Sequence, residues 1–125
     1  MLLFVYGTLK RRFEAHEILA GSRFVSEGSI SGSLYDLGVD FPAAVNDGTR
    51  NRVFGELFEI QDGLIDDIDE YEGFNPDDPD ESVFVREIAD ISLPDRKTVK
   101  AEVYYMPENQ LSRFFAHPIQ DGKWK

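Results

Sequence analysis

The chain opens on an apolar run with no alternation, Leu2-Leu3-Phe4-Val5-Tyr6, a pattern that predicts a strand covered on both faces. Gly7 then gives the backbone freedom for a tight turn, Thr8 and Leu9 follow, and Lys10-Arg11-Arg12 returns the chain to solvent. The period next becomes helical: Phe13, His16, Leu19 and Ala20 share one face, predicting a helix over 13–21 closed by Gly21. His16 falls at the edge of that face, as a structural or exposed residue. From 24 to 45 the pattern breaks into short strands: Phe24-Val25, Gly28 to Ser33, Leu34 to Leu37 and, past a bend fixed by Pro42, a last one ending at Val45. Asn46-Asp47-Gly48 is a strong turn signal.

Val53 to Ile60 is apolar on both faces and predicts a second central strand, in which Gly55 marks a bulge or a close backbone approach. The period changes again after it. Asp62 is placed to cap a helix whose apolar positions are Leu64, Ile65, Ile68 and Tyr71, while Asp66, Asp67, Asp69 and Glu70 face water. Glu72 and Gly73 end that helix, the glycine in the left-handed conformation. Asn75 to Ser82 is acidic and proline-rich, hence a loop, and it lacks the glycine and ligand spacing of an EF-hand calcium site. Val83 to Leu93 and Lys97 to Met106 predict a hairpin around Pro94-Asp95-Arg96, with Tyr104 on the face opposite Val99, Ala101, Val103 and Tyr105. Pro107 opens a last short helix that turns Leu111, Phe114 and Phe115 inward, and Trp124 tacks the tail onto the body. No repeat or linker interrupts the pattern, so residues 1–125 read as a single domain.

Composition narrows the functions open to such a domain. At 42% apolar residues, with 10 Phe and 5 Tyr among 125, it buries a sizeable core. No apolar run is long enough to span a membrane, and the first is broken by Gly7 and followed by basic residues, the reverse of a secretory signal. The expectation is a soluble, cytoplasmic protein, with a monomer favoured. Acidic residues outnumber basic ones by 24 to 13, and the net charge of −11 argues against nucleic acid or anionic membrane as partners. The absence of cysteine excludes disulfides, thiolate metal sites and cysteine nucleophiles. Only two histidines occur, His16 and His117, far apart in the chain and neither beside a ligand-like partner, so no zinc or iron site is expected.

Two features carry candidate chemistry. The turn after the first strand is suited to aim several consecutive N–H groups into one concavity, which holds a carboxylate without a charged side chain; an ordinary strand end is the competing reading. Glu72 sits at a helix C-terminus, near the negative end of the macrodipole, behind Asp66, Asp67, Asp69 and Glu70. Both effects disfavour its charge. An inward turn would add desolvation in the same direction, moving its pKa up from a reference near ~4.3 towards that of an effective general base. A surface glutamate in an acidic patch is the alternative.

Phe4-Val-Tyr-Gly-Thr-Leu9, Gly32-Ser-Leu-Tyr-Asp-Leu-Gly38 with Phe41-Pro42-Ala43, Val53 to Ile60, Asp69-Glu-Tyr-Glu-Gly-Phe74 and Gly122-Lys-Trp124, in this order and spacing, resemble the gamma-glutamylcyclotransferase-like family over nearly the whole chain. That resemblance implies an α+β fold, a small mixed β-barrel with flanking short helices. It implies that Tyr6, Gly7, Thr8 and Leu9 hold the α-carboxylate of a small γ-glutamyl substrate and that Glu72 is the catalytic acid/base. The reaction it implies releases 5-oxoproline and an amine with no cofactor. Tyr35 and one of Tyr104 or Tyr105 are further candidates for the pocket, against the reading that they are core aromatics. Two positions depart from the family pattern: Phe84-Val85-Arg86 where many members have tyrosine two before the arginine, and Phe13 where many have glycine. The first bears on substrate choice. A non-catalytic binding or interaction domain using the same pocket is the alternative function, and hydrolysis or transfer on another γ-glutamyl conjugate is a third.

Overall fold

The computed structural model describes residues 1–125, and β1 (Leu2–Val5) shows how the apolar opening is used. Leu3 and Val5 enter one core and Phe4 the other, so the run lacks a polar face because both faces are covered. β5 (Arg52–Glu59) lies antiparallel to β1, with Phe4 opposite Leu57, and takes β2 (Arg23–Ser31) on its other edge. β6 (Val85–Ser92) and β7 (Thr98–Tyr105) form the expected hairpin, its turn carrying Arg96 at φ 70°. The ring closes where β7 runs parallel to β1, giving a mixed barrel of order β1-β5-β2-β6-β7. Its interior holds Phe4, Ile30, Val53, Leu57, Ile91 and Val103, all essentially inaccessible to water.

Gly55 is required by that interior. A Cβ there would overlap the Val5 carbonyl oxygen and come within 2.8 Å of the Phe4 ring. Gly55→Ala is therefore expected to lower stability by about 3 kcal/mol, the upper part of the usual range for overpacking, read as a lower denaturation midpoint at unchanged m-value. An unchanged midpoint would mean that β1 and β5 separate freely.

A second sheet, β4 (Pro42–Val45), β3 (Ser33–Asp36) and β8 (His117–Pro118) in the order β4-β3-β8, is bolted to the barrel through β4. The Met106 N–H donates to the Ala44 carbonyl at 2.9 Å, and the Ala44 N–H donates to the Tyr6 hydroxyl at 3.0 Å. The second core lies outside the barrel under α1 (Leu64–Glu72), where Ile65 and Ile68 meet Leu3, Phe58 and Phe84. Gly73, at φ 74°, ends α1 in the left-handed conformation as its sequence position implies.

Several local expectations are corrected. Asp62 does not cap α1; Gly63 holds the cap position, and the Asp62 carboxylate sits 3.6 Å from the full charge of the N-terminal amine instead. Asp69 does not face water but is 4% exposed, because Arg86 on β6 supplies a counter-charge beneath the helix. Tyr71, assigned to the apolar face, is 47% exposed. The predicted helix over 13–21 is a 3-10 segment, Glu14–Leu19, whose greater rise per residue lets six residues reach from the first loop to β2. The short strands expected at 24–25 and 28–33 are one strand, Arg23–Ser31, with a bulge between Phe24 and Ser26, and Ser33 instead begins β3. The last helix is also 3-10, Glu108–Arg113; the chain is extended at Phe114, so Phe114 packs inward and Phe115 points to solvent. Trp124 packs against the barrel side, as expected. No helix is long and apolar enough to cross a membrane.

Candidate functional site

β1 delivers the chain to Gly7 beside Pro42 of β4. A Cβ on Gly7 would lie 2.9 Å from both Cδ and Cγ of Pro42, atoms of a rigid ring, so glycine is needed for the loop to nest there. The Gly7 carbonyl accepts from Lys10 N–H at 3.1 Å, closing the turn. Two groups pin the loop from outside. The His16 ring hydrogen-bonds the Leu9 carbonyl through Nδ1 at 2.7 Å and leans on Phe58, while the Arg11 N–H donates to Glu56 at 2.9 Å. The N–H groups of Gly7, Thr8 and Leu9 are taken by no acceptor in the chain.

Facing the loop is the end of α1. Tyr6 to Leu9 line a cavity of about 430 Å³ together with Tyr71, Glu72 and Gly73, and Phe41, Pro42, Val83, Phe84 and Tyr104 complete its walls. Thr8 Oγ1 and Tyr71 Oη meet at 3.1 Å, joining the loop to the helix end. Glu72 is the one charged residue of the lining, and no group of the protein hydrogen-bonds or ion-pairs with its carboxylate. Burial pushes its pKa up to about 7. Asp66, Asp67 and Glu70 are exposed around the other side of the helix, so desolvation rather than neighbouring charge sets the shift.

Behind Glu72 runs a polar network. Asp69, one turn earlier on α1, accepts from Arg86 Nε at 2.9 Å, from Arg86 Nη2 at 3.1 Å and from the Tyr104 hydroxyl at 2.5 Å. Arg86 also lies 3.3 Å from Glu102. Burial works against the Arg86 charge, but the Asp69 hydrogen bonds and charge outweigh it and raise the pKa. Burial first, then Asp69, holds the Tyr104 phenol protonated. Tyr6 is held protonated by burial and then by the Glu72 charge; its hydroxyl donates to the Tyr104 carbonyl at 2.7 Å and accepts from Ala44. That hydroxyl is a bolt between β1, β4 and β7.

Of the residues singled out in the sequence, Tyr6, Gly7, Thr8, Leu9 and Glu72 share one cavity. Tyr35 does not line it: on β3, between Ala43 and Pro118, it is half-buried against the second core. Tyr104 lines the cavity and Tyr105, on the opposite face of β7, fills the barrel side. Tyr71, Asp69 and Arg86 were not anticipated. The spacing held one clue, since Asp69 stands three residues before Glu72 and so on the same face of α1.

Residues 3–125 match the family described as gamma-glutamyl cyclotransferase, AIG2-like. The Bacillus subtilis protein YkqA, provisionally named a gamma-glutamylcyclotransferase, is 29% identical over 126 residues, covering 99% of this chain and 41% of that one. This chain thus spans about two fifths of that relative's length. A provisionally named gamma-glutamylcyclotransferase of Methanocaldococcus jannaschii is 30% identical over 109 residues, covering 86% of this chain and 85% of the relative. The crystal structure of YkqA superposes with a TM-score of 0.74 at 27% identity, over 98% of this chain and 39% of that one. The fold is shared with a mouse AIG2-like protein, at a TM-score of 0.69 and 21% identity over 84% of this chain and 76% of that one.

Proposed function

The chain belongs to the gamma-glutamyl cyclotransferase, AIG2-like family, and on that premise we propose that it cyclises small γ-glutamyl amines or peptides, releasing 5-oxoproline and a free amine with Glu72 as acid/base. The observation that carries this reading is the unpaired, desolvated Glu72 carboxylate in the same cavity as a loop of unoccupied N–H donors. The loop at Gly7 to Leu9 takes the substrate's α-carboxylate, an anion matched to backbone donors and to no cation in the lining. With that end fixed, the γ-glutamyl chain folds back so that its α-amine meets its own side-chain amide carbon. Glu72 takes a proton from the α-ammonium, and the amine nitrogen forms the new C–N bond. The old C–N bond breaks as that proton passes from Glu72 to the leaving nitrogen. Glu72 then takes the second proton shed by the new lactam nitrogen and passes it to the released amine, which departs as an ammonium. Bonds and protons balance without water, oxidant or metal.

A group with a pKa near neutrality suits both halves of that cycle, accepting and returning a proton at little cost. Because the carboxylate is the active form, kcat/KM is expected to rise with pH through about 7 and to be roughly a hundredfold lower two units below. A profile flat from pH 5 to 8 would remove Glu72 from the proton-transfer role. The deciding assay is 5-oxoproline release from a panel of γ-glutamyl amines and dipeptides. Binding of a panel member with no release by the unmodified protein would replace this reading with that of a ligand-binding domain.

A further inference from the structure

The polar groups that reach the cavity differ in what they can bond, and the difference is fixed by their second partners. A phenol has one proton. That of Tyr104 is committed to Asp69 at 2.5 Å, and Asp69, held by two Arg86 N–H groups, is a carboxylate that accepts and does not donate. Anything else that bonds the Tyr104 oxygen must therefore bring its own hydrogen. The Tyr6 hydroxyl is no rival, having given its proton to the Tyr104 carbonyl and taken one from Ala44 N–H. The loop groups of Gly7, Thr8 and Leu9 are donors. The cavity thus has donors along the loop and acceptors, Glu72 and the Tyr104 oxygen, on the α1 side, where Asp69 and Glu72 share a helix face.

We propose that Tyr104, with its polarity set by Asp69 and Arg86, accepts a hydrogen bond from the α-ammonium of the substrate and is a specificity-determining residue of the site. The inference rests on the cyclotransferase reading and deepens it. A γ-glutamyl end carries one acceptor group, the carboxylate, and one donor group, the ammonium, on the same carbon. It fits donors on one wall and acceptors on the other in a single orientation, with the ammonium beside Glu72. The same polarity removes Tyr104 as a donor to the oxyanion that forms on the amide oxygen. Asp69 and Arg86 are positioning residues here: they touch the substrate only through the phenol.

The test compares two ligands that differ in one group, γ-glutamyl-propylamide and glutaric acid mono-propylamide, which retains the carboxylate and lacks the α-amine. Binding is titrated calorimetrically to Glu72→Gln, in which turnover does not consume the ligand, and to Glu72→Gln with Tyr104→Phe. The amine-bearing ligand is expected to weaken about tenfold or more in the double variant, and the des-amino ligand to change less than twofold. Asp69→Asn in the same background is the second variant. Its amide N–H donates to the phenol and turns the Tyr104 proton towards the cavity, so the same selective loss is expected with the ring and hydroxyl both in place. Equal losses for the two ligands, or no loss for either, would overturn the assignment while leaving the cyclotransferase reading standing. No binding of either ligand, with no 5-oxoproline from the unmodified protein, would overturn both.

Discussion

Glu72→Gln is expected to slow 5-oxoproline release at least a hundredfold and, at pH 8, to make the protein harder to unfold. The kinetic half follows from removing the group that moves the proton while keeping its shape, a change worth roughly 10²–10⁴ in rate for acid/base catalysis. The stability half follows from linkage. The Glu72 pKa is about 7 in the folded chain against 4.5 for the unperturbed group, raised by burial. Below 4.5 the carboxyl is neutral in both states and costs nothing. As pH rises through 7 the folded chain must hold a desolvated anion that the unfolded chain leaves in water, and that part of the stability is lost. The difference of 7 − 4.5, or 2.5 pKa units, corresponds to about 3 kcal/mol at ~1.36 per unit, reduced to about 2 because the carboxylate faces an open cavity. Glutamine is neutral throughout and escapes this loss. Urea midpoints should therefore coincide near pH 4.5 and diverge in favour of glutamine at pH 8. A variant that is slow but no more stable at pH 8 would mean that the carboxylate is well hydrated and acts without a shifted pKa.

The two halves of the candidate site were legible for different reasons. The loop was visible because an unbroken apolar run ending in glycine has few structural meanings, and the position of Glu72 because Gly73 marks the helix end by its backbone requirement. Their convergence was not readable from local pattern. It depends on β1 and α1 flanking the same core, and on Pro42 packing against Gly7 from a strand thirty-odd residues on. Family resemblance supplied what periodicity does not encode. Asp69 is the instructive failure. Within Asp66, Asp67, Asp69 and Glu70 a helical wheel sorts only face, and an acidic residue is assigned to water unless a partner is known. The partner, Arg86, lies in β6, and its pairing with α1 is a tertiary fact. Tyr35 failed oppositely: its motif is shared with the family, yet its side chain serves the junction of β3 and β8, a strand pair with no turn signal between its members. The apolar and capping patterns thus conveyed the strands and the end of α1, the family resemblance conveyed the barrel, and the rest lies in side-chain pairing between distant elements.

Arg86→Leu is expected to cost about 3–5 kcal/mol, the largest loss of stability from any single change at the site. The guanidinium bridges Asp69 on α1 and Glu102 on β7, and Asp69 is buried, so its removal leaves two carboxylates facing each other with no cation between them. Against a typical total of ~5–15 kcal/mol this approaches unfolding under mild denaturant. The same geometry predicts that the damage is repaired by removing charge rather than restoring it. In Arg86→Leu with Asp69→Asn no guanidinium holds the amide oxygen, so the side chain is free to turn that oxygen to the Tyr104 hydroxyl while the unpaired anion is lost, and the double variant should recover at least half of the lost stability. A double-mutant cycle in urea would read this as a coupling of about 2 kcal/mol or more. Simple additivity of the two losses would show that the ion pair is too hydrated to act as a unit. If neutral replacements are nearly as stable, the pair does not exist for stability, and its consequences lie in the site: besides directing the Tyr104 proton, Arg86 fixes the rotation of α1 through Asp69, and Glu72 follows one turn later. The double variant should then regain stability over Arg86→Leu and still lose turnover, with kcat falling more than binding of a γ-glutamyl ligand.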